Sequence, residues 1–564
     1  MINDLSFVKN FEFPAVLFSD LPMLEKNDSY YTYSIRDNTS HKKIFIIDNR
    51  YEIEIPVPFI DKVSEADLPH IFWNHSINMD DKAIIIPFLN MDEIFTRPSE
   101  MRASFEKILS VKKHEHQVWA MNVALPNRVA LLTYLNVSIF DSTLVDNLGN
   151  NGIYIDDYYF GKVPSDLLCR CKSCLNGKLD NIGVIQHNRY VLYREVERVK
   201  QFIKAGQLRS YVEQRVAEDP AATAVLKEFN INGYAILEKY TPVVGKFSNY
   251  VTDLSFNRPE VVRFRNRISN ISIKPDKNID TVILFPCSKR KPYSLSKTHG
   301  IFSSIISETG MRSNIHELMI TSPLSVVPRE LENYYPAMNY DTPVTGYWDE
   351  IEKKVTSDVL ENYLKRNKYK NAIIHLHGGE VFVKEVVEKY VDNVHVSSDN
   401  NPLSDNSLHN LKETLIDLKK NVNSKIKIDK NRGSVKSMFT FQFGKDITDG
   451  VNVIIKGYFP EYRIIHNNRQ LAMFNAAEGK FSLTLDGAEL LLNNKINVVE
   501  IENLSIKGDI FSPAVIRADS SIRSGDEVVA VYNDTIKAIG VAKMNGEEME
   551  RSRHGLAIKV RTHV

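Results

Sequence analysis

Pro286-Cys287-Ser288-Lys289-Arg290-Lys291-Pro292-Tyr293, followed by Ser296 and His299, is the stretch on which the reading of this chain turns. It follows the apolar run Thr281-Val282-Ile283-Leu284-Phe285. That run is apolar on both faces, as a strand covered by helices on both sides must be, and predicts a buried parallel strand. Pro286 lacks the N–H that a central strand needs, so the chain turns there. In an open α/β sheet, the turn leaving a strand's carboxyl end is where ligands bind. Here that turn carries a thiol, three cations and a tyrosine. A loop rich in Lys and Arg is often only solvated, but few structural needs place a cysteine and a histidine among the cations.

The surrounding text supports the same reading. A helix is expected around Ser296 to Ser307, a second strand at Leu318–Thr321 and a third at Ala372–His377, which is α/β order with a mostly parallel sheet. Each strand ends in polar, turn-forming sequence: Pro328-Arg329-Glu330-Leu331-Glu332 after the second, His377-Gly378-Gly379-Glu380 after the third. Cys287, Glu332 and His377 are therefore expected to meet at one sheet edge and form a pocket. Each alone has a structural explanation at least as good.

Upstream, short apolar runs such as Lys43–Asp48 and Lys82–Pro87 alternate with polar segments, a β/α pattern without a clean motif. From Leu125 a helix is expected to lead into a strand, Val137 to Phe140, ending at Asp141-Ser142. An aspartate at a barrel strand's carboxyl end faces the usual active-site side. For a lone Asp-Ser pair, however, a helix cap or turn is the commoner role. Cys169-Arg-Cys171-Lys-Ser-Cys174 follows, then His187. Three thiolates and an imidazole close a tetrahedral zinc site with no open position, so the reading is structural Zn2+; three free buried cysteines are the alternative. Leu192, Val196, Val199, Phe202 and Ile203 form one stripe of an amphipathic helix.

Downstream, Asn400 to Ser434 is polar and reads as a linker with a helix at Leu408–Val422. Short strands are expected from 437 to about 490, then a helix from Gly487 to Asn493. From Lys495 the pattern is that of a small β-barrel. That last segment is not basic, so any grip on RNA rests on a local patch, for which Arg551, Arg553 and His554 are candidates.

Bulk composition sets limits. At 564 residues several domains are required. The 71 basic and 71 acidic residues cancel, so no global field draws the chain to nucleic acid. Four cysteines, three of them clustered, do not make a secreted disulfide framework. No signal peptide and no membrane-spanning run is visible, and a cytoplasmic protein without membrane contact is expected.

Pro286-Cys287-x-x-x-Lys291-Pro292-Tyr293-x-x-Ser296-x-x-His299 resembles the signature of archaeosine synthase, the archaeal paralogue of tRNA-guanine transglycosylase. Val137–Ser142 resembles the strand that carries the transglycosylase nucleophile. Cys169, Cys171, Cys174 and His187 resemble that family's zinc site, with a shorter gap before the histidine. Residues 437–490 resemble the small domain preceding PUA in archaeal transglycosylases, and the segment from about 495 resembles PUA, an RNA-binding barrel. Two departures stand out: neither the Asp-Ser-Gly-Gly-Phe segment nor the Gly-Gly-x-x-x-Gly-Glu base-recognition loop is present. Base exchange through Asp141 is thereby put in doubt.

The resemblance implies an α/β multidomain chain. A degenerate TIM-barrel-like transglycosylase domain with the zinc site would span 1–270. A catalytic α/β domain with a parallel sheet would span 271–405, a linker helix and small α+β domain 406–492, and a PUA domain 493–564. It implies a transferase that adds free lysine, through its side-chain amine, to the nitrile of 7-cyano-7-deazaguanine in the D-arm of tRNA. A radical-SAM lyase partner would then cleave the adduct to archaeosine. Cys287 would act as nucleophile or shape the pocket, with Lys289, Arg290 and Lys291 lowering its pKa. Tyr293 belongs to the same candidate catalytic set. Ser296 and His299 would project from one helix face, His299 as base or proton donor. Lys289, Arg290, Glu332 and His377 would hold substrate; Arg551 and Arg553 would hold RNA. The rivals are a base-exchanging transglycosylase using Asp141 and a non-catalytic tRNA-binding subunit. The sequence leaves a homodimer open.

Overall fold

A computed structural model describes residues 95–564, apart from 121, 158, 178, 344–345 and 423–427, and before 95 the backbone of five strands. The chain forms two compact units, residues 1–237 with 552–555 and residues 238–551 with 556–564.

The first unit holds β1 (Ala15–Ser19), β2 (Tyr31–Asn38), β3 (His41–Asp48), β4 (Tyr51–Val57), β5 (Ile84–Phe88), β6 (His116–Ala120) and β7 (Ile139–Asp141) in one sheet, ordered β4-β3-β2-β1-β7-β6-β5. Pairings from β5 through β6, β7 and β1 to β2 are parallel; β3 and β4 add an antiparallel edge. Among the described residues the outer strands β4 and β5 are not paired with each other. The helix Pro126–Tyr134 delivers the chain to β7. Its first position is proline, whose missing N–H has no partner to lose there. A hairpin of β8 (Ile153–Ile155) and β9 (Phe160–Lys162) precedes the metal-ligand cluster. The expected amphipathic helix spans Asn181–Ala205, capped by the Asp180 carboxylate, which accepts from Gly183 N–H at 2.7 Å. Leu192, Val196 and Val199 are buried; Phe202 stacks on Tyr211 with centroids 4.1 Å apart.

In the second unit, β10 (Ser248–Asn249) pairs with β14 (Tyr340–Asp341) beside the main sheet. That sheet consists of β11 (Thr281–Pro286), β12 (Ile315–Thr321), β13 (Ser325–Pro328), β15 (Asn371–Ile374) and β16 (Asn393–Val396), ordered β13-β12-β11-β15-β16. Only β13 is antiparallel. The apolar run before Pro286 is thus the central strand, and both faces are used. Val282 and Leu284 pack with Val261 and Phe264 of the helix Pro259–Asn270 and with Leu360 and Tyr363 of the helix Glu350–Arg366. Ile283 and Phe285 pack with Phe302 and Ile306 of the helix Lys297–Thr309 and with Leu411 and Leu415 of the helix Asp405–Lys419. Each such fully buried side chain stabilises the fold by about 1.5–3 kcal/mol.

Three features differ from the sequence expectation. The helix Pro259–Asn270 lies before the expected boundary yet covers the sheet. The supposed linker helix covers the other face. A helix, Lys430–Phe443, stands where strands were expected from 437. Phe439, Phe441 and Phe443 alternate as in a strand, but tertiary contacts decide. Phe439 stacks on Phe481 at 4.3 Å, and Phe441 meets Phe264 at 5.2 Å and Tyr334 at 5.1 Å. The antiparallel strands β17 (Ile454–Lys456), β18 (Arg463–His466), β19 (Arg469–Asn475) and β20 (Lys480–Leu483) follow, joined to the same core. The C-terminal six-stranded sheet is built from β21 (Val498–Ile501), β22 (Ile510–Phe511), β23 (Val515–Ala518), β24 (Glu527–Tyr532), β25 (Thr535–Ala542) and β26 (Leu556–His563). It has a core of its own around Val499, Val528 and Ile558.

Candidate active site

From β11 the chain crosses by the helix Lys297–Thr309 to β12 on one side, and later returns by the helix Glu350–Arg366 to β15 on the other. Connections diverging from one strand leave a crevice at its carboxyl end. Cys287 stands there, half-buried, in the wall of a cavity of about 390 Å³. Aromatic side chains (Tyr250, Phe256, Trp348) and carboxylates (Asp349, Glu352, Glu380) share that wall, together with His377. Cys287 and His377 both line this cavity; Glu332 does not.

The loop after β11 is pinned from below. Tyr293 is fully buried; its hydroxyl shares a 2.8 Å hydrogen bond with Tyr340, whose hydroxyl in turn shares one of 2.7 Å with Thr321. Glu332, fully buried, accepts from Ser294 N–H at 3.0 Å and from the Arg329 guanidinium at 2.8 Å. It supports the loop and does not line the cavity. Ser296 is the N-cap of the helix Lys297–Thr309, its oxygen accepting from His299 N–H at 3.2 Å. His299 is buried under the loop. Its Nε2–H donates to Pro286 O at 3.0 Å, and Arg329 donates to its Nδ1 at 2.9 Å. Burial, with the Arg329 charge, holds its pKa down to about 3. Both nitrogens are occupied, so the expected role as base or proton donor gives way to one of positioning. Arg329 also donates to Glu317 at 2.7 Å; against burial, which pushes it up, Arg329 and Lys430 hold that carboxyl down to about 2.

The cations divide. Lys289 and Arg290 are exposed on the outer side of the loop. Lys291 turns inward: its Nζ lies 4.1 Å from the centre of the Tyr340 ring, has no hydrogen-bond partner, and is held below its ordinary pKa by burial. Its charge pulls the Cys287 thiol down, as does the Thr321 hydroxyl, but burial outweighs both and the thiol stays above its ordinary value. The three cations therefore do not make Cys287 a resting thiolate: two of them point into water, where screening is strong.

Glu380, in the turn three residues beyond His377, was not among the candidate site residues although the same strand end carries it. It lies on the turn Gly378–Glu380, buried, with one oxygen accepting from His377 N–H at 2.8 Å. Burial raises its pKa to about 7. Carboxyls shifted in this way cluster at functional sites, and structural networks shift them too.

In the first unit, Cys169, Cys171, Cys174 and His187 are all buried, with their ligand atoms within 4.8 Å of one another. The Cys174 and Cys171 sulfurs lie 3.2 and 3.5 Å from His187 Nδ1. His187 Nε2 is 2.7 Å from Ile155 O, and donation there leaves Nδ1 free to ligate. Tyr154 stacks on the imidazole at 3.9 Å. Burial raises Cys169 and pushes Cys174 up to about 12, and a dication would favour their thiolate forms. The donor set fits a tetrahedral thiophilic metal.

Asp141 is fully buried and saturated. It accepts from Trp119 Nε1 at 3.1 Å, from Asn122 N–H at 3.1 Å and from Thr143 N–H at 3.0 Å. Burial raises its pKa. A carboxylate enclosed in this way holds the β7 turn together, and the nucleophile reading loses its geometry. Near the C-terminus, Arg551 is engaged by Glu547 one turn earlier, whereas Arg553 and His554 are exposed. No described helix is long and apolar enough to cross a membrane.

Residues 498–564 match the PUA domain family, and residues 261–415 match a domain of unknown function (DUF5591). The chain is 33% identical to the archaeosine synthase subunit alpha of Methanosarcina acetivorans, over 84% of this chain and 79% of that one. It is 32% identical to the archaeosine synthase of Haloferax volcanii, over 78% and 75%. The chain belongs to the archaeosine synthase family. A more distant relative is the tRNA-guanine(15) transglycosylase of Methanobrevibacter smithii, 27% identical over 70% of this chain and 58% of that one. Membership makes this a tRNA-modifying enzyme of archaeosine biosynthesis with a mixed α/β fold and a C-terminal PUA domain.

Proposed function

We propose that the cavity at the end of β11 joins the side-chain amine of free lysine to the nitrile of 7-cyano-7-deazaguanine in the D-arm of tRNA. The observation that carries the reading is Cys287: a half-buried thiol at the carboxyl end of the central strand, beside an unpartnered ammonium, in a cavity walled by aromatic rings and carboxylates. Aromatic walls suit a flat base that has left its stack, at a cost of a few kcal/mol. A carboxylate-rich wall suits a co-substrate that arrives as a cation. Exposed Lys289 and Arg290 suit tRNA phosphates at the rim.

In this mechanism the Cys287 thiol adds across C≡N, sulfur to carbon and proton to nitrogen, giving a thioimidate. Lysine's amine then attacks the same carbon and sulfur leaves. No oxidant or reductant is needed, because the sum is an addition. Lys291 favours the charged form of sulfur as it attacks and departs. His299, Arg329 and Glu332 hold the loop rigid.

The metal of the first unit is read as structural zinc, held by Cys169, Cys171, Cys174 and His187. A radical-SAM lyase is the partner expected to act on the lysine adduct. The test is mass spectrometry of nucleosides from 7-cyano-7-deazaguanine tRNA incubated with enzyme and lysine. A gain of one lysine on the base is expected, lost in Cys287→Ala, with Cys287→Ser at least a hundredfold slower. Normal transfer by Cys287→Ala would replace the covalent route with direct attack.

A further inference from the structure

The amine-transfer reading leaves one question of proton balance. Free lysine's side chain is an ammonium near neutrality and cannot attack until it gives up a proton. The histidine of the sequence motif cannot receive it, since both His299 nitrogens are already bonded. The titratable groups around the cavity are few. Asp349 and Glu352 spend oxygens on each other's backbone N–H at the start of the helix Glu350–Arg366, and Glu352 also binds Ser322. Asp253, at the start of the short helix Asp253–Asn257, is exposed. Lys291 is not among the residues lining the cavity; its Nζ faces the Tyr340 ring. His377, on the same turn as Glu380, is exposed.

We infer that Glu380 is a catalytic residue, the carrier that takes the proton from the incoming ammonium and returns it to the sulfur of Cys287. The inference rests on the amine-transfer reading above. Glu380 is buried in the same wall as Cys287, close enough for its charge to raise the Cys287 thiol. His377 N–H fixes one of its oxygens. The other makes no hydrogen bond among the described residues, which leaves it for the substrate. A carboxyl whose pKa burial places at about 7 both takes and gives a proton near neutrality.

The step balances. The carboxylate takes one proton from the ammonium, and the neutral amine bonds to the thioimidate carbon. The carbon–sulfur bond breaks, and the carboxyl's proton goes to sulfur. Thiol and carboxylate are regenerated, and the positive charge that entered on the ammonium leaves on the amidinium.

The test compares two amines on 7-cyano-7-deazaguanine tRNA: lysine, which must be deprotonated, and methoxyamine, which is already neutral at pH 7. Glu380→Gln is expected to lose at least a hundredfold with lysine and no more than about tenfold with methoxyamine. Glu380→Asp should recover part of the lysine rate. The wild-type methoxyamine rate should lack the rise through pH 7 that the lysine rate shows. Intact-protein mass showing the Cys287 adduct in Glu380→Gln reports that the site is folded. Equal losses with both amines, or no loss with lysine, would overturn the proton role. A wild-type enzyme that adds neither amine would instead overturn the amine-transfer reading.

Discussion

At the scale of single residues, Arg329 is the keystone of the site. It joins Glu317 on β12, Glu332 on the following turn and His299 under the loop. Arg329→Met would leave two buried carboxylates without their partner. A loss of about 3–5 kcal/mol in urea unfolding is expected, with the pocket loop loosened. His299 makes a pH prediction with a definite sign. Its folded pKa is about 3 against an ordinary 6.5, so between those values the unfolded chain binds a proton that the folded chain does not. Its contribution is present above pH 6.5 and is lost as pH falls, by up to about 1.4 kcal/mol per pH unit. His299→Gln should flatten the dependence of unfolding free energy on pH between 6.5 and 4.5 by about one proton. Below 4.5 Glu317 adds a loss of its own, since its folded pKa of about 2 lies under its ordinary value of 4.5.

At the scale of elements, the metal-ligand cluster belongs to the first unit and the sheet around β11 to the second. The segment around it is poor in regular structure: the helix Lys172–Leu175 has four residues and the hairpin of β8 and β9 is short. Such a segment lacks the buried apolar area to order itself, and metal binding becomes folding energy. A strong chelator should lower the melting temperature and expose 160–180 to protease. Cys171→Ser should drop metal content from one equivalent to near zero by elemental analysis, while leaving the pH dependence of lysine transfer unchanged. The strand–turn–helix at 281–309 was legible because the local signals agree: a doubly apolar strand, Pro286 as terminator and a helical stretch after the turn. The helix Lys430–Phe443 was not, because its alternating phenylalanines carry a strand pattern that only their packing partners overrule.

For the whole molecule, charge decides how tRNA is held. With 71 basic and 71 acidic residues, long-range attraction is weak and binding rests on local contacts. The dependence of log affinity on log salt should therefore be shallow, roughly one unit per phosphate contacted. Substituting both Lys289 and Arg290 by Ala should reduce that slope by about two and raise KM for tRNA. kcat should fall far less, because neither side chain faces the cavity. Filter binding from 50 to 400 mM salt measures it.

The sequence by itself determined the order of elements around 281–309, the place of Cys287 at the end of the central strand, the clustering of Cys169, Cys171, Cys174 and His187, and the C-terminal PUA domain. All of these are local or rest on residue chemistry that spacing preserves. Tertiary structure alone decided which motif residues reach the cavity. Tyr293, Ser296 and His299 turn inward as supports, Asp141 is sealed by three donors, and Glu332 sits beneath the loop. Glu380 enters the wall instead. The reason is physical: burial, and the partner that satisfies each polar atom, come from strands and helices distant in sequence, and these settle whether a carboxylate or imidazole is free to move a proton.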